Sequence, residues 1–375
     1  MIWSLDSLSS CEVGNLTSGR LSSFWTLVMG IMSLEKAMAT IPQSKAALAF
    51  IISSVLITVS VNSLLDSPPA PLAYYFIDKT LELGLRAITG VKDEIVQTSY
   101  GESRVMSIDC PNRNPTSPRL VLLHGVTSKS ADLLPVALSL KIQGSFSRIV
   151  LIDLQGHGLS DMCDDDTEFT FDGMTDMALE TFDAIFPNDD GEVVLAGNSL
   201  GGLILFQIGL RGRKNPLYLI SPGGAPSTAS ELSSLSSTFE LKTHSSARRF
   251  FRTMLSEKRY KPSLLIWIMA FGCLHRTSSK NVKRIFKALL NPTESACNHD
   301  MSKFVAPCGI FWGKEERLLP SSNLEYFKKK IGKKHLIQVD EPDYFGHVPF
   351  FDNPYEVAQY ISRFAELAVK NKSKK

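Results

Sequence analysis

Between Leu120 and Asp340 the chain carries six short, almost continuous apolar runs: LVLLHG (120–125), RIVLIDLQ (148–155), VVLAGNS (193–199), LYLIS (217–221), CGIFWG (308–313) and HLIQVD (335–340). Stretches with helical spacing separate them. A strand with one wet face alternates apolar and polar residues, so continuous runs must be covered on both faces, and their alternation with helices makes the sheet mostly parallel. Upstream, Leu72 to Gly90 has helical periodicity, and Glu94 to Asp109 alternates about Tyr100-Gly101-Glu102 as a hairpin does. The expectation is an α/β fold with a mostly parallel, doubly wound sheet. No internal repeat is present, and low complexity is confined to a serine-rich patch at 227–237 and a lysine-rich tail.

Composition removes several classes. Of 375 residues, 44% are hydrophobic and 21% charged, which excludes disorder and a polytopic membrane protein. A net charge of +2 argues against nucleic acid as a generic partner. The length suits two domains or one large α/β domain with an insertion. Cys11, Cys110, Cys163, Cys273, Cys297 and Cys308 form no C-x-x-C pair and no His/Cys cluster at metal spacing. Neither a metal nor a redox motif is expected, and disulfides stay open.

Ala46 to Leu65 is 20 residues without a charge. As a helix at ~1.5 Å per residue it measures about 30 Å, the thickness of a hydrocarbon core. Residues 46–65 are therefore read as a transmembrane helix or signal anchor, after an N-terminal targeting or cytosolic segment (1–45). A spacer and amphipathic helix (66–93) follow, opening on Ser-Pro-Pro-Ala-Pro at 67–71. Two other readings stay open: a buried core helix, and a cleavable signal peptide starting at Met38, which would leave a secreted or organellar product. Lys36 and Lys45 before the span and Asp66 after it favour a cytosolic N-terminus. Leu21 to Leu34, 14 residues without a charge, is too short to span.

In a doubly wound sheet ligands bind beyond the carboxyl ends of the strands, so the residues just after each run are the candidates. The third run ends in Gly197-Asn198-Ser199-Leu200-Gly201, a G-x-S-x-G pattern whose glycines permit a sharp strand-to-helix turn with Ser199 at its tip. A serine in an ordinary glycine-rich helix start would look the same, so the other strand ends must discriminate. The first run leads into His124-Gly125-Val126-Thr127, and a loop in that place supplies one backbone N–H of an oxyanion hole, the residue after the nucleophile supplying the other. Val126 and Leu200 are the candidate donors. The second run leads into Asp153-Leu154-Gln155-Gly156-His157-Gly158-Leu159-Ser160-Asp161, a turn closing the neighbouring side. Lys314-Glu315-Glu316 follows the fifth run and Gly346-His347 the sixth.

The order Ser199, Glu316, His347 is that of nucleophile, acid and base on this kind of sheet. A serine hydroxyl attacks well only if a base takes its proton, imidazole can do so near neutral pH, and a carboxylate fixes the imidazole tautomer. Of the other histidines, His124 and His157 sit in backbone-shaping turns, while His244, His275, His299 and His335 lack a strand-end setting.

LVLLHG, DLQGHGLSD, LAGNSLGG, FWGKEERLLP and FGHVPFFDNPYEV, in this order, resemble the α/β-hydrolase fold superfamily over about residues 94–370. The resemblance implies a Ser-His-acid triad and no cofactor. Glu316 stands where relatives usually carry aspartate, with Glu315 beside it, so either carboxylate could orient His347. Serine at the elbow separates the chain from haloalkane dehalogenases and epoxide hydrolases, which use a carboxylate. Core is expected over 94–225 and 301–370, with a helical cap at 226–300 and a basic tail at 371–375. The cap holds twelve Lys and Arg against five Asp and Glu, around the apolar LLIWIMAFGCL at 264–274. Such a cap reads either as an interfacial lid on anionic headgroups with Trp267 at the boundary, or as a solvated face above an apolar underside of Ile266, Trp267, Met269 and Phe271.

The arrangement of anchor, spacer and cap is similar to membrane-bound monoacylglycerol lipases. It implies a serine-dependent carboxylic ester hydrolase acting on a hydrophobic, lipid-like ester, attached to a membrane through 46–65, with the basic cap as a second candidate membrane contact. Alternatives are carbon–carbon bond hydrolysis or phytyl-ester hydrolysis with the same triad, and a non-catalytic ligand-binding homologue.

Overall fold

The computed structural model describes residues 71–110, 117–162, 169–189, 191–259, 263–277, 279–290 and 300–372. The expected span at 46–65, the segment before it and the first part of the spacer lie outside the described residues, as does the Trp267 side chain. Among the described residues no helix is long and apolar enough to cross a membrane.

One eight-stranded sheet is built from β1 (Lys92–Thr98), β2 (Gly101–Asp109), β3 (Arg119–Leu123), β4 (Arg148–Ile152), β5 (Val194–Asn198), β6 (Leu217–Ile220), β7 (Cys308–Phe311) and β8 (Leu336–Asp340), in the order β1-β2-β4-β3-β5-β6-β7-β8. The Ser99-Tyr100 turn joins β1 and β2 as an antiparallel hairpin, and β2 also pairs antiparallel with β4. Every pair from β4 through β8 is parallel. Because β3 lies between β4 and β5, the chain winds outward in opposite directions on either side of it, and the loops leaving β3 and β5 diverge around a crevice.

The continuous apolar runs follow from burial of both faces. Along β3, Leu120 and Leu122 face a cluster with Leu134, Val136 and Leu140 of α2 (Leu134–Gln143) and Ile361 of α11 (Pro354–Lys372). Val121 and Leu123 face the other way, toward α3 (Phe171–Ile185), α4 (Leu200–Leu210) and α9 (Ser322–His335). Helix α4 is apolar all round because strands and helices enclose it from Leu200 to Gly209. The second run is shorter as a strand than as an apolar string: β4 stops at Ile152, and the carboxylate of the next residue, Asp153, accepts the Ser130 amide (2.6 Å).

Between β6 and β7 lie α5 (Ala229–Phe239), α6 (His244–Met254), α7 (Ser263–Thr277) and α8 (Lys280–Leu289). Thr228 and Glu231 form a capping box at α5, Thr243 caps α6 and Ser279 caps α8. Helix α6 buries Ala247, Phe250, Phe251 and Met254, spaced i, i+3, i+4 and i+7, and leaves Arg249 and Arg252 exposed. Cys110, Cys273 and Cys308 are buried.

Ahead of the sheet, α1 (Pro71–Thr89) is tied down by charge. Lys129 Nζ reaches Asp78 (2.7 Å) and Glu82 (2.9 Å), and Arg104 Nη2 lies 3.8 Å from Glu82. Burial alone would raise the Glu82 pKa, yet the Lys129 charge and hydrogen bond, with Lys79 and Arg104, hold it below its ordinary 4.5. A carboxylate whose folded pKa is depressed adds stability above its unfolded pKa and loses it as pH falls through the lower folded value. Glu82→Gln is therefore expected to cost about 1.5–3 kcal/mol at pH 7, and the deficit should shrink below pH 4.5. Urea unfolding at both ends of that range checks this, and a deficit independent of pH would contradict it.

Candidate active site

The crevice beside β3 is shaped by what backbone can approach backbone. Ser199, directly after β5, has φ 54° and ψ −111°, a strained conformation for a residue with a Cβ. Its amide donates to Ile220 O (2.9 Å), and its carbonyl accepts from Leu203 N (3.0 Å) and Gly223 N (3.2 Å), so the turn is held from three sides. A Cβ on Gly197 would sit 2.6 Å from Gly201 C, and one on Gly201 would sit 2.6 Å from Leu123 O. Only glycine fits at either place. Leu200 opens α4, so its amide has no earlier turn to bond and lies at the positive end of the helix dipole.

The loop after β3 passes close to the serine: a Cβ on Gly125 would meet Ser199 Cβ at 3.3 Å. Ser128 N closes a turn onto Gly125 O (3.2 Å), with Val126 and Thr127 at its tip and Thr127 at φ 66°. His124 supports this loop from below. Its Nδ1 donates to Gly125 O (2.8 Å) and its Nε2 accepts the Leu154 amide (3.0 Å), a pattern that requires the neutral ring. Burial pushes its pKa down accordingly. His157, edge-on to His124 with ring centroids 5.0 Å apart, is pushed down to about 3 by burial and by that neighbour. Asp153 secures the adjoining turn by accepting Ser130 N and Leu159 N.

His347 and Glu316 are brought together. Nδ1 of His347 lies 2.7 Å from Glu316 Oε2, and both side chains are almost wholly buried. Glu316 Oε1 accepts the amides of Leu318 (2.8 Å) and Leu319 (3.1 Å). Burial would raise the Glu316 pKa, but the His347 charge and hydrogen bond and the two amides bring it below 4.5. An ionised Glu316 keeps a proton on Nδ1 and leaves Nε2 the basic nitrogen. Glu315 goes elsewhere: its Oε2 accepts the Glu257 amide from the cap side (2.8 Å).

Ser199 and His347 line one pocket with Gly125, Val126 and Thr127. The rest of its wall is largely apolar, with Phe239, Phe251, Met254, Met269, Leu318 and Phe350. The space within the pocket, open solvent at its mouth included, is about 610 Å³. Among the described residues no group of His, Cys, Asp and Glu could hold a metal.

Two supports escaped the reading of motifs. Asn198 donates from Nδ2 to His347 O (2.9 Å) and Ile220 O (3.2 Å), joining the base loop to the serine turn. Asp352 accepts Gly346 N (2.8 Å) and Ser256 N (2.9 Å), and Val348 N donates to Met254 O (3.1 Å), so the base loop leans on the end of α6. Asn198 lies inside the G-x-S-x-G string, where its proximity to Ser199 was the available signal. Asp352 had only its place in FFDNP.

Compared with known proteins, the model of the alpha/beta hydrolase family matches residues 120–360. A stretch of 117 residues is 34% identical to 2-succinyl-6-hydroxy-2,4-cyclohexadiene-1-carboxylate synthase of Yersinia pestis (strain Pestoides F), covering 31% of this chain and 39% of that protein. The chain thus spans about two fifths of the length of the curated relatives it matches. Among solved structures it is similar to a bacterial membrane phospholipase A described as a virulence factor (20% identity, TM-score 0.63, 85% of this chain and 98% of that one). It is also similar to naproxen esterase of Bacillus subtilis (18% identity, TM-score 0.59, 80% and 99%). At these identities the structural likeness speaks for the fold.

The bridging role of Asn198 is testable. Asn198→Leu removes the side-chain donor from His347 O and one of the two donors to Ile220 O, which keeps the Ser199 amide, so a loss of about 1–3 kcal/mol in stability is expected. Reaction of Ser199 with a fluorophosphonate should slow as well. A variant that is less stable but labels at the wild-type rate would show that Asn198 holds only the fold.

Proposed function

The chain belongs to the alpha/beta hydrolase family, and on that premise we propose that it is a serine hydrolase cleaving a carboxylic ester of a hydrophobic, lipid-like substrate. The observation that carries the proposal is the buried 2.7 Å contact of His347 with Glu316, at the wall of an apolar pocket shared with a strained Ser199.

In this reading Ser199 Oγ attacks the acyl carbon while His347 Nε2 takes its proton. The oxyanion receives the Val126 and Leu200 amides, which meet full negative charge only as the tetrahedral intermediate forms. His347 returns the proton to the leaving alkoxide, and water repeats the cycle on the acyl-enzyme. Glu316 stays ionised and stabilises the imidazolium. The lining of Phe, Met and Leu side chains supports an acyl group without charge. Ser199→Ala should lose both a fluorophosphonate label and p-nitrophenyl ester turnover with its melting temperature unchanged. Glu316→Gln should lower kcat by about three to four orders of magnitude, and Glu315→Gln should leave it near wild type. A label that persists in Ser199→Ala overturns the nucleophile. The reverse ranking of the glutamates moves the acid one residue upstream. An enzyme that labels at Ser199 but ignores esters of every chain length would move the chemistry to carbon–carbon bonds.

We also propose attachment to a membrane through residues 46–65, supported by their length without a charge. The exposed basic face of the cap, with Arg249 and Arg252, is a second candidate contact. Chain lacking residues 1–65 should be extractable without detergent and still cleave a short soluble ester. It should bind anionic vesicles weakly, at about 1 kcal/mol for each basic residue near the surface, and release them as salt rises. Arg248, Arg249 and Arg252 replaced by glutamine should weaken that binding. A truncated chain that ignores such vesicles leaves the cap's charges a solvated face.

A further inference from the structure

We propose that Asp132 and Arg276 are positioning residues that couple cap helix α7 to the loop carrying the Val126 amide, so that docking of the cap sets the oxyanion hole. The inference rests on the serine-hydrolase reading above.

Asp132 Oδ2 receives three donors: Ser128 Oγ (2.8 Å), Lys129 N (3.2 Å) and Arg276 Nη1 (2.7 Å). The first two belong to the turn that begins at Gly125, two and three residues beyond Val126. The third comes from the last turn of α7, 144 positions away in the chain. Asp132 and Arg276 are 10% and 20% exposed and both line the pocket, so little solvent screens their attraction.

Cys273, one turn earlier on the same face of α7, lines the same pocket as Thr127. Thr127 directly follows Val126 and holds φ 66°, an outlier for a β-branched residue. Such strain persists only where neighbours over-determine the backbone. Here those neighbours include the cap: Arg276 grips the carboxylate that holds Ser128, the residue after Thr127. When α7 lifts, the Arg276 grip is released: His124 Nδ1 and Ser128 N still hold Gly125 O, but the Val126–Ser128 segment loses the support that reaches it through Asp132. Closure of the pocket and alignment of the amide are thus one event.

The test uses the full chain in detergent. Asp132→Asn, Arg276→Gln and the double variant are assayed on a p-nitrophenyl ester and on the matching thionoester, whose sulfur profits little from oxyanion donors. Each single variant should lower kcat for the oxygen ester by about tenfold to a hundredfold, below the loss of a whole donor at about 10²–10³. KM should change little, and the oxygen-to-sulfur rate ratio should fall in step. The double variant should be no worse than the poorer single, because both remove one link. Arg276→Lys should recover part of the loss. Ser128→Ala, which keeps the ion pair but removes the Ser128 Oγ contact with Asp132, should show a smaller fall of the same ratio and serves if the charge variants fail to fold. Loss of kcat with an unchanged ratio, or a rise in KM alone, overturns the proposal by making the pair a wall of the pocket. Wild-type chain that takes no label at Ser199 would instead sink the serine-hydrolase reading itself.

Discussion

The architecture depends on a steric constraint at the point where β5 turns into α4. Gly197, Gly201 and the end of β3 pack backbone against backbone, leaving no room for a Cβ on either glycine. That approach lets the turn be tight enough to force Ser199 to positive φ, and it sets the first amide of α4 beside the β3 loop. Strain at one residue of this kind costs of order 1–3 kcal/mol, which the buried faces of β3, β5 and α4 offset many times over.

Around this turn the polar groups are satisfied in a graded way. His124, between Gly125 O and the Leu154 amide, and Asp153, which accepts the Ser130 and Leu159 amides beside the Arg104 guanidinium, are buried and act as fixed struts beneath the loops. Glu316 is equally buried but spends one oxygen on amides and the other on His347. Its negative charge is thus stabilised by donors that cannot leave, so the imidazole can gain and lose a proton without the acid following it.

Much of the fold was legible because burial on both faces leaves its mark on sequence. Each of the six apolar runs coincides, to within a residue at its start, with one of the strands β3 to β8, and the Tyr100-Gly101 alternation marks the β1–β2 hairpin. The serine turn was legible too, since glycine at two fixed positions has few other uses. What stayed hidden depends on contacts between distant residues. Adjacent carboxylates at 315 and 316 look alike until the turn closed by Glu316 N on Gly313 O aims one at His347 and the other at the cap. No local pattern pairs Asp132 with Arg276, because the pairing exists only once α7 lies over the β3 loop. The apolar segment at 46–65 lies outside the described residues, so its reading still rests on composition.

The insertion of α5–α8 between β6 and β7 also bears on how the chain matures. Ser199 and the Val126 loop are made before the cap, Glu316 and His347 after it, and the base loop leans on α6. A ribosome-bound chain that has already folded β3 to β6 therefore holds a bent serine with nothing to deprotonate it. The base arrives only when a loop of well over a hundred residues has closed, a slow and entropically costly step. On the proposed reading, the meeting of Ser199 with His347 and Glu316 is thereby postponed to the last stage of folding.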